Sequence, residues 1–407
     1  MRVFTAVRHS IDPRFYYGRL WSGDFYSALK ELGCDIVESE VDLLPASRFM
    51  EIPGNFTRQE KETRSRITRE ITDEVKKAHS KKPVDLFLSY FYNAHFEPAG
   101  FEEIHRLGIP TVNFYCNSIY QFELVKTIAE KVKFSWHTEK NARELYLEAG
   151  AKPVWVQMGA SHRVYHPVPG TVREKKACFI GRRYADRDRW LEKLVTDDIP
   201  VDIYGTGWLW RRGDVNKYGL AGNHAMYLGR RRLMPGTLNA YAHAALANIR
   251  KLGLVKGARR IAKQLQYRNE SRKVNNALAG WMRGFAGDIN KTFARYEVVL
   301  NFSNIWQDGR PGSRLMPHVR LRDFEAPMCR TCYLTGYTDE IAEFYELGKE
   351  IDTYHTPEEL VDKVRFYLIH PASAEKLREA GYRRALRDHT WKRRFETLFA
   401  KIRIKNK

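Results

Sequence analysis

Two arginines and a carboxylate stand just before a short apolar run in Val319-Arg320-Leu321-Arg322-Asp323-Phe324-Glu325-Ala326-Pro327-Met328-Cys329-Arg330-Thr331-Cys332-Tyr333-Leu334-Thr335. Guanidinium forks on Arg320 and Arg322 would hold phosphate oxygens, and the Glu325 carboxylate could accept hydrogen bonds from a ribose diol. In an open α/β sheet such a junction faces the ligand crevice, so the combination reads as a nucleotide-diphosphate site. A second anion candidate follows the apolar run Cys178 to Ile180. There Gly181, Arg182, Arg183 and Arg187 would occupy a loop and a first helical turn, where backbone amides and the helix dipole already favour negative charge. Tyr204-Gly205-Thr206-Gly207-Trp208 ends the next apolar run, and its glycines allow a tight turn or a close backbone approach to a ligand. It lacks the third glycine of a dinucleotide fingerprint, and Trp208 fits core packing equally well. Cys329 and Cys332 form a lone C-x-x-C, short of the four ligands that zinc takes, and read as ordinary thiols. No metal site and no cofactor are expected, and cationic side chains with helix termini would stabilise a departing nucleotide diphosphate.

The elements that must position these residues follow from periodicity. Short apolar runs alternate with amphipathic stretches, the pattern of parallel sheets with helical crossovers. Strands are expected at Val3 to Val7, Asp35 to Val37, Val84 to Ser89, Thr111 to Tyr115, Val132 to Trp136 and Val154 to Gln157. Helices are expected over Asp24 to Leu32, Arg58 to His79, Phe101 to Arg106, Gln121 to Glu130 and Glu139 to Glu148. The segment His162 to Glu174, with Pro167 and Pro169, interrupts the pattern and reads as a linker. A second set follows, with strands at Ala177 to Ile180, Val201 to Tyr204, Val298 to Phe302, Cys332 to Thr335 and Glu350 to Thr353, and a helix over Asp188 to Leu194.

The 407 residues exceed what one hydrophobic core usually organises, and 43% hydrophobic residues suffice for two. Five scattered cysteines argue for free thiols in a reducing cytoplasm. The first residues meet charge too soon for a signal peptide, and no run approaches a membrane span. The formal charge is +20 and uneven: between Arg230 and Arg283 thirteen Lys and Arg face one acid, Glu270. Leu252, Val255, Ile261, Leu265 and Trp281 lie among these cations at roughly helical spacing, which predicts basic amphipathic helices suited to an anionic membrane surface. A solvated excursion, an oligomer contact and a non-catalytic polyanion or nucleic-acid binder are the alternatives. The absence of a zinc finger, helix-turn-helix or RNA-stacking motif argues against nucleic acid.

The stretch from Val319 to Thr335 resembles the donor-domain signature of the group 1 glycosyltransferases, in the branch that contains the spore maturation protein CgeB and its relatives. The likeness continues through Asp339 to Tyr345, Gly348 to Ile351, Thr356 to Leu360 and His389-Thr390-Trp391, with weaker matches at Phe179 to Arg182, Tyr204 to Trp208 and Ile109 to Asn117. It implies an α/β GT-B fold, two Rossmann-like doubly wound parallel-sheet domains facing a cleft. Residues 1–165 would form the acceptor-side domain, 175–389 the nucleotide-sugar donor domain and 228–290 a basic, mostly helical insertion, with a helix in 390–407 packing back on the first domain. The implied reaction moves a sugar from a nucleotide-diphosphate sugar to a hydroxyl of a glycan, lipid-linked glycan or other acceptor. A sugar-nucleotide epimerase or phosphorylase on the same fold is the alternative. Donor contacts are implied for Gly181, Arg182, Arg187, Tyr204, Gly205, Gly207, Arg320, Arg322 and Glu325. The wider group has another Glu eight positions before the ribose carboxylate, where this chain has Pro317, so the retaining mechanism does not transfer from that motif. In such enzymes a base comes from the N-terminal domain; His9, Asp24 and Asn117 are the candidates, with Asp12 and His95 beside them, and a neutral imidazole suits proton abstraction.

Overall fold

A computed structural model describes residues 1–11, 16–208, 253–309 and 311–404, with 245, 246 and 249. Asp12 and the cations from Arg230 to Lys251 fall outside the described residues. The chain divides into two compact units, one of Met1–Met158 together with the segment from Trp391, the other chiefly Gly159 to Thr390.

The first unit is built on six parallel strands: β1 (Arg2–Ala6), β2 (Asp35–Glu38), β3 (Leu86–Ser89), β4 (Thr111–Tyr115), β5 (Phe134–His137) and β6 (Pro153–Trp155). Their order is β2-β1-β3-β4-β5-β6, with Val3 beside Leu86 and Val112 beside Phe134 setting the register. Strands buried on both faces carry near-continuous apolar runs, as in Leu86-Phe87-Leu88. The Arg58–Lys81 helix begins at a capping box in which the Thr57 side chain accepts from Glu60 N while Thr57 N donates to the Glu60 carboxylate at 2.7 Å. The Trp391–Ile402 helix belongs to this unit: Trp391 and Phe395 meet Phe25 at 4.9 and 5.2 Å between ring centres. The helix expected over 121–130 is instead three short turns, because Asn93 interrupts it. Its backbone N–H donates to Leu124 O at 2.7 Å and its side-chain oxygen accepts from Thr127 at 2.6 Å.

The second unit repeats the plan with β7 (Glu174–Ile180), β8 (Val201–Tyr204), β9 (Met282–Gly284), β10 (Tyr296–Asn301), β13 (Tyr333–Gly336) and β14 (Asp352–Tyr354), ordered β14-β13-β10-β7-β8-β9 and all parallel. A separate hairpin pairs β11 (Asn304–Trp306) with β12 (Leu315–Pro317). The core gathers Ala177, Phe179, Val201, Ile203, Val298 and Leu300 between layers of helix.

The expected basic insertion over 228–290 lies partly outside the described residues. Met282–Gly284 is the edge strand of the sheet, and the Leu254–Leu278 helix buries Val274 and Leu278 in the core cluster. Two of the apolar residues expected among the cations, Val255 and Leu265, are exposed. Among the described residues no helix is long and apolar enough to cross a membrane.

Candidate functional site

In the second unit, the loops after β7 and β8 zip onto each other. Gly181 N donates to Tyr204 O at 3.0 Å, Arg183 N to Thr206 O at 2.9 Å and the Trp208 indole to Gly181 O at 2.8 Å. Gly205, at φ +119°, allows this contact, since a Cβ there would collide with the Gly181 carbonyl oxygen. Gly207, at φ +86°, faces Arg183 in the same way. The two glycines thus serve loop-to-loop contact, and Tyr204 is buried in a hydroxyl chain through Tyr296 (2.6 Å) to Asp202 (2.7 Å). Gly205→Ala is expected to cost about 2 kcal/mol from the left-handed backbone and the displaced loop, read as a fall of several degrees in Tm.

That zipped loop presents Arg187 at the start of the Arg187–Thr196 helix. Its guanidinium is buried, donates from Nη1 to Arg182 O at 2.8 Å and keeps a buried Nε with no hydrogen-bond partner. Burial, with Arg320 nearby, pulls its pKa down to about 9. Arg320 and Arg187 both lie over the Tyr184 ring, at 5.9 and 6.0 Å from its centre. Both cations border the Tyr184 ring, and Arg187 begins a helix whose N-terminus favours an anion. Arg182 is exposed and lends this group only its carbonyl. Arg183 is held by Asp188 at 2.8 Å.

The structure does not pair Arg320 with Arg322. Arg322 ion-pairs with Glu325, one helical turn on, at 2.8 Å and lies over Phe293. Arg322 and Arg320 thus have different neighbours, and it is Arg320 that shares the Tyr184 ring with Arg187. Asp323, not singled out in the sequence, is the organiser of this corner. Its buried carboxylate accepts from Arg320 N (2.6 Å), Tyr333 (2.7 Å), Thr335 (2.8 Å) and Asn301 (3.2 Å), and burial raises its pKa. Arg330, at φ +57°, pairs with Glu375 and Glu379. Cys329 and Cys332 are buried free thiols, raised in pKa by burial.

Sequence reasoning also passed over Asp186-Arg187-Asp188, an Asp-x-Asp set after a strand. Asp186 Oδ2 accepts from the Trp190 indole at 3.0 Å and from Asn304 at 2.7 Å, whereas its buried Oδ1 has no hydrogen-bond partner. The buried Nε of Arg187 and the buried Oδ1 of Asp186 leave one donor and one acceptor for a polar ligand.

In the first unit, His9 follows β1 and Asn117 follows β4, both at the carboxyl ends of parallel strands, the ligand edge of such sheets. His9 is buried, and its Nε2 must donate because it meets the Tyr90 carbonyl. That fixes a lone pair on Nδ1, which has no hydrogen-bond partner, and burial lowers the pKa to about 4. His95 stands 4.4 Å away between ring centres and is held by Ser47 at 2.8 Å. The Asn117 amide donates to the Cys116 sulfur at 3.2 Å. Asp24, where a helix was expected to begin, is a buried residue within the Tyr16–Glu31 helix.

Residues 250–400 match the family model described as Glycosyl transferase-like. No curated protein matches the chain. Solved structures share the fold of the whole chain. A glycosyltransferase from Rickettsia africae aligns with a TM-score of 0.57 at 12% identity, covering 100% of this chain and 99% of its own. Sucrose-phosphate synthase from Thermosynechococcus elongatus gives 0.53 at 12% identity, over 99% and 98%. HepE of Anabaena, solved with UDP and glucose, gives 0.52 at 11% identity, over 99% of each chain.

Proposed function

We propose that this chain, a glycosyltransferase of the GT-B fold, moves a sugar from a nucleotide diphosphate to a hydroxyl acceptor, with Arg187 and Arg320 holding the diphosphate. The observation that carries the reading is the buried Arg187, pulled down to about 9 by burial and by Arg320, with an Nε that has no partner. A buried guanidinium with an unpartnered Nε gains from a phosphate anion what it loses to desolvation and to a neighbouring cation. HepE is solved with UDP and with UDP-glucose, which makes uridine diphosphate the first donor to test. The run of family matches from Arg320 to Trp391 supports the CgeB-like branch.

Transfer breaks the bond between the sugar's anomeric carbon and the diphosphate oxygen and joins that carbon to the acceptor oxygen. The charge released on the diphosphate would fall on Arg187, Arg320 and the N-terminus of the Arg187–Thr196 helix, and Asp186 Oδ1 would accept a donor hydroxyl. Charge neutralisation by these side chains makes the reaction metal-independent, so activity is expected to persist in EDTA. Loss of activity there, restored by a divalent cation, would assign a metal role to Asp186 and Asp188. Gly181, Arg182, Tyr204, Gly205 and Gly207 shape the donor loops, and Arg322 with Glu325 supports them as an ion pair. The first unit supplies the acceptor's base, for which His9 is the choice because Nδ1 carries its lone pair. His9→Gln is expected to lower kcat about 100-fold while leaving UDP affinity unchanged. The acceptor class we assign is a glycan or lipid-linked glycan, and the place of work the cytoplasm. Calorimetric titration with UDP, GDP, dTDP and CMP tests the donor site, and binding by none of them defeats the reading.

A further inference from the structure

We propose that the outward face of the Leu254–Leu278 helix docks on an anionic lipid bilayer. The helix has two differently engaged sides. Its inward side is fixed to the second unit by Val274 and Leu278 in the core, by Tyr267 donating to Ala185 O at 2.7 Å and by Arg260 on Asp308 at 2.8 Å. Gln264 adds a bond to Pro311 O at 3.1 Å. The opposite side carries Leu254, Val255, Ala258, Ala262 and Leu265, which helical spacing places along one strip. Leu254 is 76% exposed, Val255 74% and Leu265 53%.

Lys256, Arg259, Lys263 and Lys273 are exposed on the same helix, and among the described residues none of the four is in an ion pair. Glu270, the helix's one acid, is taken by Arg189. Helical spacing sets Arg259 and Lys273 beside the apolar strip, with Lys256 and Lys263 further round. An apolar strip edged by cations matches the interface of an anionic membrane, where acyl chains receive leucine and valine and headgroups receive the cations. Nucleic acid would satisfy the cations and leave the apolar strip in water. A second copy of the chain would bring like charges together. Because Tyr267 and Arg260 tie the helix to the loops at Ala185 and Asp308, docking would hold the donor loops of the same unit at the membrane. The inference rests on the exposed face and is independent of the donor reading.

Co-sedimentation with vesicles tests it. The full chain is expected to pellet with vesicles of phosphatidylcholine and phosphatidylglycerol in equal parts and to stay in the supernatant with phosphatidylcholine alone. Val255→Glu with Leu265→Glu, and separately Arg259→Glu with Lys273→Glu, should each weaken that partitioning at least about tenfold. Both pairs lie on the exposed side, and UDP titration of each variant should match the parent. Absence of binding by the parent to the anionic vesicles overturns the proposal, as does unchanged partitioning of the Val255 and Leu265 variant. Binding to a single-stranded DNA oligonucleotide that exceeds vesicle binding and ignores the apolar substitutions overturns it in favour of a polyanion site. Failure of UDP binding with vesicle binding intact counts against the donor site alone.

Discussion

Arg320→Ala is expected to lower kcat/KM for the nucleotide-sugar donor about 100- to 1,000-fold, the scale of losing one charged group aimed at developing negative charge. The same substitution is expected to leave Tm unchanged or to raise it. Arg320 lowers the pKa of the buried Arg187, so the two cations disfavour each other in the protein without donor. Removing one relieves that repulsion and gives up, among other contacts, the bond from Arg320 to Asn304 O at 3.1 Å and the stacking over Tyr184. Gain in stability with loss of donor use is the signature of charge placed for a ligand. Arg187→Ala should show the same kinetic loss with a lower Tm, because it also empties space among Phe179, Tyr184 and the Arg182 carbonyl. Steady-state kinetics with differential scanning calorimetry on the two variants decides the matter. A fall in Tm for Arg320→Ala with donor kinetics intact would make Arg320 a structural residue.

Much of this architecture was legible because both sheets are parallel and buried on two faces. Runs such as Leu86-Phe87-Leu88 and Val298-Val299-Leu300 are apolar without interruption, and β4 and β8 lie at the residues expected. The Met282–Gly284 strand was hidden because an edge strand of three residues with an exposed arginine carries no apolar run. The Leu254–Leu278 helix read as a basic amphipathic insertion because its cations dominate, and its attachment uses two apolar residues and the polar groups of Tyr267, Arg260 and Gln264. At the site, spacing placed Arg320 and Arg322 together, but Arg320 lies in the loop before the Arg322–Met328 helix and Arg322 is its first residue. Arg322 therefore turns to Glu325, three residues on, and the partner of Arg320 comes from more than a hundred residues upstream. Asp186 had a readable signal in its Asp-x-Asp spacing after β7. Asp323 had none, since four hydrogen bonds from three elements converge on it only in the fold.

The first unit is expected to lose stability steeply as pH falls from about 6.5 toward 4, by about 4 kcal/mol per pH unit at most. It buries three neutral histidines. Burial lowers His9 and His137 to about 4 and His95 well below its ordinary value. Above pH 6.5 both the folded and unfolded chains hold these imidazoles neutral, and they place no pH dependence on stability. Below it the unfolded chain takes up the three protons while the folded unit does not until near pH 4. Each proton contributes about 1.4 kcal/mol per pH unit to unfolding across that window. The second unit buries His318, lowered to about 3 by burial and by Arg320, but also Asp323, whose raised pKa acts in the opposite direction: the folded unit takes that proton first as pH falls. Its stability should therefore change less over the same range. Calorimetric scans at pH 7.5, 6 and 5 should show the transition of the first unit moving down well ahead of the second, and His137→Gln should remove about one proton's share of the slope. A first transition with the same Tm at all three values would mean that these rings take up protons in the folded state, and would make His9 a base of ordinary pKa.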